Sequence, residues 1–223
     1  MTRRTLAVAA LVALAGPAVG QDKLTVKVED APPPKELAEP VRALLDAKAM
    51  TVSDSKGKVL CTVWPRKAVE AKAGADPATQ GYASLEETVV LGAVRFPETW
   101  TDYRKQKIKP GVYTLRLGIQ PMDGDHMGTA PYNEFGLLAP ADLDKKPDPM
   151  DPKDLHELSA KSTSRKHPGV MLLFPNPKPA DQPAVESKPN DTWVLSYQVP
   201  VTAGGKKTAL GFSLVVVGVS MAE

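Results

Sequence analysis

From Val112 to Gln120 apolar and polar side chains alternate, with Tyr113, Leu115, Leu117 and Ile119 on one face and Thr114, Arg116 and Gln120 on the other. A period of two predicts a strand with one face on a core and the other toward solvent. Thr192 to Val199 repeats it, with Trp193, Leu195, Tyr197 and Val199 inward and Thr192, Ser196 and Gln198 outward. Leu24/Val26/Val28, Val59/Cys61/Val63 and Val90/Val94/Phe96 predict three further strands. Leu210 to Val219 is almost wholly apolar, which predicts a strand at the centre of a sheet.

Turn residues fall between these runs, at Asp54-Ser55-Lys56-Gly57, Lys109-Pro110-Gly111 and Ala203-Gly204-Gly205-Lys206, the last predicting a closing hairpin. Helical spacing is confined to Leu37, Val41 and Leu44, with Pro40 placed in a first turn, and to Leu155 and Leu158 behind an Asp151-Pro152 cap. Many short antiparallel strands with few helices predict an all-β fold, an antiparallel β-sandwich, in one domain over residues 21–223. Two stretches interrupt it. Residues 121–168 hold one predicted strand, Phe135 to Ala139, and one short helix, so the chain is expected to leave the sheet in a long excursion of the kind that often carries function. Residues 175–189, laced with proline, are expected to form an extended surface loop without chemistry.

Composition changes the picture at the amino terminus. Arg3 and Arg4, the apolar run Thr5 to Ala15 and the small residues Ala18-Val19-Gly20 read as a cleaved export signal over residues 1–20, so the mature chain is expected in the periplasm or outside the cell. No run approaches the ~20 apolar residues of a membrane-spanning helix, and the only cysteine, Cys61, is too far from the leader to anchor a lipid. Without Arg3 and Arg4 the 28 basic residues become 26, against 26 acidic ones. A chain near neutrality has no summed field for polyanions, which argues against nucleic acid as a partner. Cys61 has no intramolecular mate and lies in mid-strand beside Val59 and Val63, the position of a buried apolar residue and not of a nucleophile.

Candidate chemistry concentrates in the excursion. Gln120 to Phe135 reads QPMDGDHMGTAPYNEF, in which Asp123, Asp125, His126, Tyr132 and Glu134 gather among glycines that let the backbone bend. They are read as polar contacts to a ligand. A second reading holds a divalent metal, Zn²⁺ or Ca²⁺, by His126 and His167 with Asp125 or Glu134, and extends to a metal-dependent hydrolase with an open position for water. Met122, His126 and Met127 would suit copper. The spacing matches neither a calcium loop nor a helical zinc pair, and an Asx turn at Asp123-Gly124-Asp125 accounts for the acids equally. Trp100, Tyr103 and Arg104 form another candidate surface, since aromatic faces and a guanidinium suit sugars or peptides; the alternative is that the rings close one end of the core. Gly-x-Ser-x-Gly elbows and phosphate-cradling glycine loops are absent from the sequence.

On IKPGVYTLRL and QPMDGDHMGTAPYNEF, with WTDYRKQKIKPG before them and HPGVMLLFP after, the chain resembles a group of secreted, uncharacterised proteins of planctomycete bacteria. That resemblance implies secretion and one compact domain and carries no catalytic role. The piece Ile108 to Tyr113 is also similar to the opening of a strand in extracellular β-sandwiches such as fibronectin-like and transthyretin-like modules. The expected function is that of an exported, non-enzymatic β-sandwich protein recognising an extracytoplasmic ligand or protein through its excursion.

Overall fold

A computed structural model describes residues 23–120, 130–163 and 165–221. The expected leader lies outside them. The protein is an all-β sandwich of two antiparallel sheets. The larger has the order β1-β2-β3-β5-β8-β9-β10, built from Thr25–Asp30, Lys48–Ser53, Val59–Pro65, Val90–Phe96, Gly111–Ile119, Glu134–Pro140 and Val170–Leu172. The smaller pairs β12 (Thr192–Ala203) with β13 (Lys206–Val217) on one side and, on the other, with β11 (Ala184–Lys188) and the short parallel β4 (Val69–Glu70). A small hairpin, β6 (Trp100–Thr101) with β7 (Lys107–Ile108), stands apart. Among the described residues no helix is long and apolar enough to cross a membrane.

The alternation seen in sequence fills the space between the sheets. Tyr113, Leu115 and Leu117 of β8 meet Leu195, Tyr197 and Val199 of β12 and Phe212, Leu214 and Val216 of β13 in one apolar cluster that also takes in Cys61 and Val63. The closing hairpin forms as expected, with Ala203 opposite Lys206 and both linking glycines, Gly204 and Gly205, at positive φ (54° and 79°). A two-residue turn that follows the strand twist requires that geometry. Pro40 sits in the first turn of α1, which is a single turn, Glu39–Arg42, as is α2, Pro77–Gln80, and Asp151 caps α3 (Pro152–Ala160) by accepting from Lys153 N at 2.8 Å.

Four expectations are corrected. The polar face of β8 does not meet water: Thr114 and Arg116 are fully buried, because residues 141–151 cross over that face. Arg116 makes a two-pronged pair with Asp144 (Nε–Oδ2 2.7 Å, Nη2–Oδ1 2.9 Å), donates to the carbonyls of Thr88 (2.9 Å) and Asp148 (3.0 Å), and reaches that of Lys146 as well. All five guanidinium N–H groups are thereby used, and Thr114 adds a hydroxyl to Asp144.

The apolar closing strand is not central. β13 is at the edge of its sheet, while β12 is central; the edge is covered by residues 173–176, with Leu173 bridged to Leu214, Phe174 N donating to Ser213 O and Asn176 Nδ2 to Phe212 O. Nor does the chain leave the sheet over the whole of 121–168. The strand expected at 135–139 is β9, paired along both edges, so the sheet takes in the middle of that stretch. Finally, the proline-laced loop contains β11, an edge strand in which Ala184 and Val185 are half-buried and Glu186, Ser187 and Lys188 follow with no apolar alternation to read.

Removing one partner of a fully buried ion pair leaves the other charge stranded at a cost of about 3–5 kcal/mol. Arg116→Met is expected to destabilise by that amount in denaturant unfolding, and adding Asp144→Leu to recover a large part of it. Burial pushes the Cys61 thiol up to about 12. Thiol reagents at pH 8 are therefore expected to label the native chain only as fast as it unfolds globally, a rate measurable against denaturant.

Candidate functional site

Three side chains with polar nitrogen heads come together at one end of the larger sheet: Arg104, His156 and His167 line a cleft of about 150 Å³. Its floor is apolar, from Phe135 and Leu137 on β9, Val170 on β10 and Pro168, with the end of β8 along one wall. Arg104 and His167 are exposed and His156 half-buried. Among the described residues none of the three heads is engaged by a hydrogen bond or an ion pair.

Each is placed by a distinct device. Arg104 stands at the tip of the β6–β7 hairpin, where Lys105 takes a positive φ of 63°. Asp102 holds the tip, its carboxylate accepting from Gln106 N (2.7 Å), Gln106 Nε2 (2.9 Å), Arg104 N (3.0 Å) and, across to the larger sheet, Val170 N (3.2 Å). Burial holds the Asp102 carboxyl above its ordinary value against the opposing pull of those donors. His156 rides on α3, whose Leu155 and Ser159 are buried against the sheet. His167 precedes Pro168, whose carbonyl accepts from Gln106 Nε2 at 2.7 Å, and Gly169, where a Cβ would fall 2.2 Å from Ser162 Oγ and 2.8 Å from Ile108 Cδ1. A larger residue would have to push both side chains aside, so the bare glycine lets the start of β10 lie against the hairpin.

The other sequence candidates are dispersed. Asp123, Asp125 and His126, with Met122 and Met127, lie outside the described residues. Trp100 stacks on Phe96 (centroids 4.6 Å apart, planes 9° apart) and donates from Nε1 to Val216 O at 2.9 Å, and Tyr103 packs with Phe135 and Leu155, so both rings belong to the core while Arg104 lines the cleft. Tyr132 meets Phe174 edge-on at 4.9 Å. Glu134 and Phe135 are neighbours on β9 and point to opposite faces of the sheet; Phe135 floors the cleft, whereas Glu134 lines a different one, of about 190 Å³, with Tyr82, Pro175 and Asn176. The sheet therefore separates Glu134 from His167. Among the described residues no three of His, Cys, Asp and Glu converge as a metal-binding group.

Compared with known proteins, the chain matches no family model, no curated protein and no solved structure. The cleft thus stands on its own geometry. Nothing in the spacing of Arg104, His156 and His167 announces that they meet.

A division of labour follows between Asp102, which holds the hairpin tip, and Arg104, which it presents. Asp102→Ala leaves four N–H donors without their acceptor and is expected to cost about 2–4 kcal/mol of unfolding free energy. Arg104→Ala, at an exposed position, is expected to stay within ~0.5 kcal/mol of the parent. Denaturant titration of both variants checks the contrast.

Proposed function

We propose that the chain is an exported, non-enzymatic binding module of the periplasm or exterior, related to the secreted planctomycete proteins it resembles, and that it takes its ligand in the cleft formed by Arg104, His156 and His167. One observation carries this reading: three residues with polar nitrogen heads, from separate elements, line one concave, apolar-floored space, the usual make-up of a small-molecule site. Two of them, His156 and His167, belong to the segment 121–168 that the sequence marks as the recognition surface. The leader pattern of residues 1–20 supports export, and the near balance of charge in the remaining chain argues against nucleic acid as the ligand.

The metal reading is less well supported. A guanidinium keeps its charge at all ordinary pH, and a dication beside Arg104 would have to tolerate it with no carboxylate among the described lining residues to offset it.

The test is a ligand screen followed by NMR on the imidazole resonances of His156 and His167. A bound ligand is expected to move both together and to lose its effect in the His156→Gln/His167→Gln double variant. A ligand that binds with both imidazoles unmoved would place recognition elsewhere and refute the proposal.

A further inference from the structure

We infer that the cleft selects a small organic carboxylate with an apolar tail. This rests on the binding reading of the same cleft and adds the chemistry of the occupant.

The inference comes from how the lining divides. At the mouth stand one permanently charged fork and two imidazoles, each with at least one N–H donor in either protonation state, and no carboxylate is among the described lining residues. Such a set donates hydrogen bonds and carries positive charge, so it favours an acceptor anion; Arg in particular matches the two oxygens of a carboxylate with two parallel N–H groups. Around the cleft the exposed Lys105, Arg165 and Lys166 are balanced by Asp154 and Glu157 on α3 and by Glu87, whose carboxylate accepts from Ile119 N at 3.4 Å, so the positive charge that selects is that of the lining itself. The floor, from the side chains of Phe135, Leu137 and Val170, offers no hydrogen bonds and rewards methylene groups. The volume of about 150 Å³ is some five times the ~30 Å³ of a liquid water, room for roughly five to seven non-hydrogen atoms. An occupant with a charged end and a short chain satisfies both halves of the lining. A bare inorganic anion satisfies only the first.

The experiment titrates the mature full chain with acetate, butanoate and hexanoate, and separately with butylamine, inorganic phosphate and Zn²⁺, following the imidazole signals of His156 and His167. Affinity is expected to rise by about fourfold for each methylene buried until the cleft is full. Butanoate is expected to exceed butylamine by at least about tenfold, and Arg104→Gln to reduce butanoate affinity by a similar factor with the rest of the spectrum unchanged. Phosphate binding as tightly as butanoate would overturn the apolar half of the inference. Butylamine or Zn²⁺ binding as tightly, with both imidazoles shifting, would overturn the anionic half and leave the cleft as the binding site. If no probe moved either imidazole of the folded protein, the inference and the binding reading beneath it would fall together.

Discussion

The buried pair of Arg116 and Asp144 is the constraint on which the rest of the larger sheet rests. The connection after β9 has little apolar surface of its own: Leu143 is exposed, and Lys145, Lys146, Pro147, Asp148 and Pro149 offer no side chains for a core. Hydrophobic burial cannot hold such a segment. Its backbone carbonyls are held by one guanidinium that points out of β8, and the same group neutralises the carboxylate that arrives with the loop. Thr88, itself at positive φ, closes the arrangement by accepting from Met150 N and donating to Met150 O, both at 2.8 Å. Asp151 follows at once as the cap of α3, so the place of His156 at the cleft is inherited from a charge pair on another element.

Much of the fold was legible, because burial between two sheets leaves a period of two in β8 and β12 and because paired glycines at a two-residue turn have few other uses. The misreadings have a common cause. Periodicity reports polarity, and polarity reports solvent only if nothing else covers the face. Arg116 is polar and buried because its partner comes from a residue 28 positions away, which no local pattern encodes. β13 is almost wholly apolar from Leu210 to Val217 because crossing segments cover its edge there, which from sequence looks the same as a sheet centre. β11 carries Glu186 and Lys188, joined at 2.8 Å on an exposed edge, and so resembles a loop.

The site was legible in its parts and not in its assembly. Trp100, Tyr103 and Arg104 are adjacent in sequence and read as one surface, yet the hairpin turns the rings inward and the guanidinium outward. Glu134 and His167 read as possible partners because both are ligand types on one excursion, yet the alternation of β9 sends Glu134 to the other face. What unites Arg104, His156 and His167 is docking: the Asp102 carboxylate reaching Val170 N, the Gln106 amide reaching Pro168 O, and a glycine thin enough to admit them. Long-range docking of this kind leaves single residues behind in a sequence, not a motif.

The hairpin of β12 and β13 supplies one wall of the apolar interior, and Trp100, Tyr82 and Asn176 all direct hydrogen bonds to or from β13 or its neighbouring backbone. β13 is synthesised after every other described strand. The emerging chain therefore has no completed interior to collapse onto until Val217 has cleared the ribosome tunnel. Until then the strands already made stand with an unfilled hydrophobic side, the condition in which a holding chaperone has the most to bind.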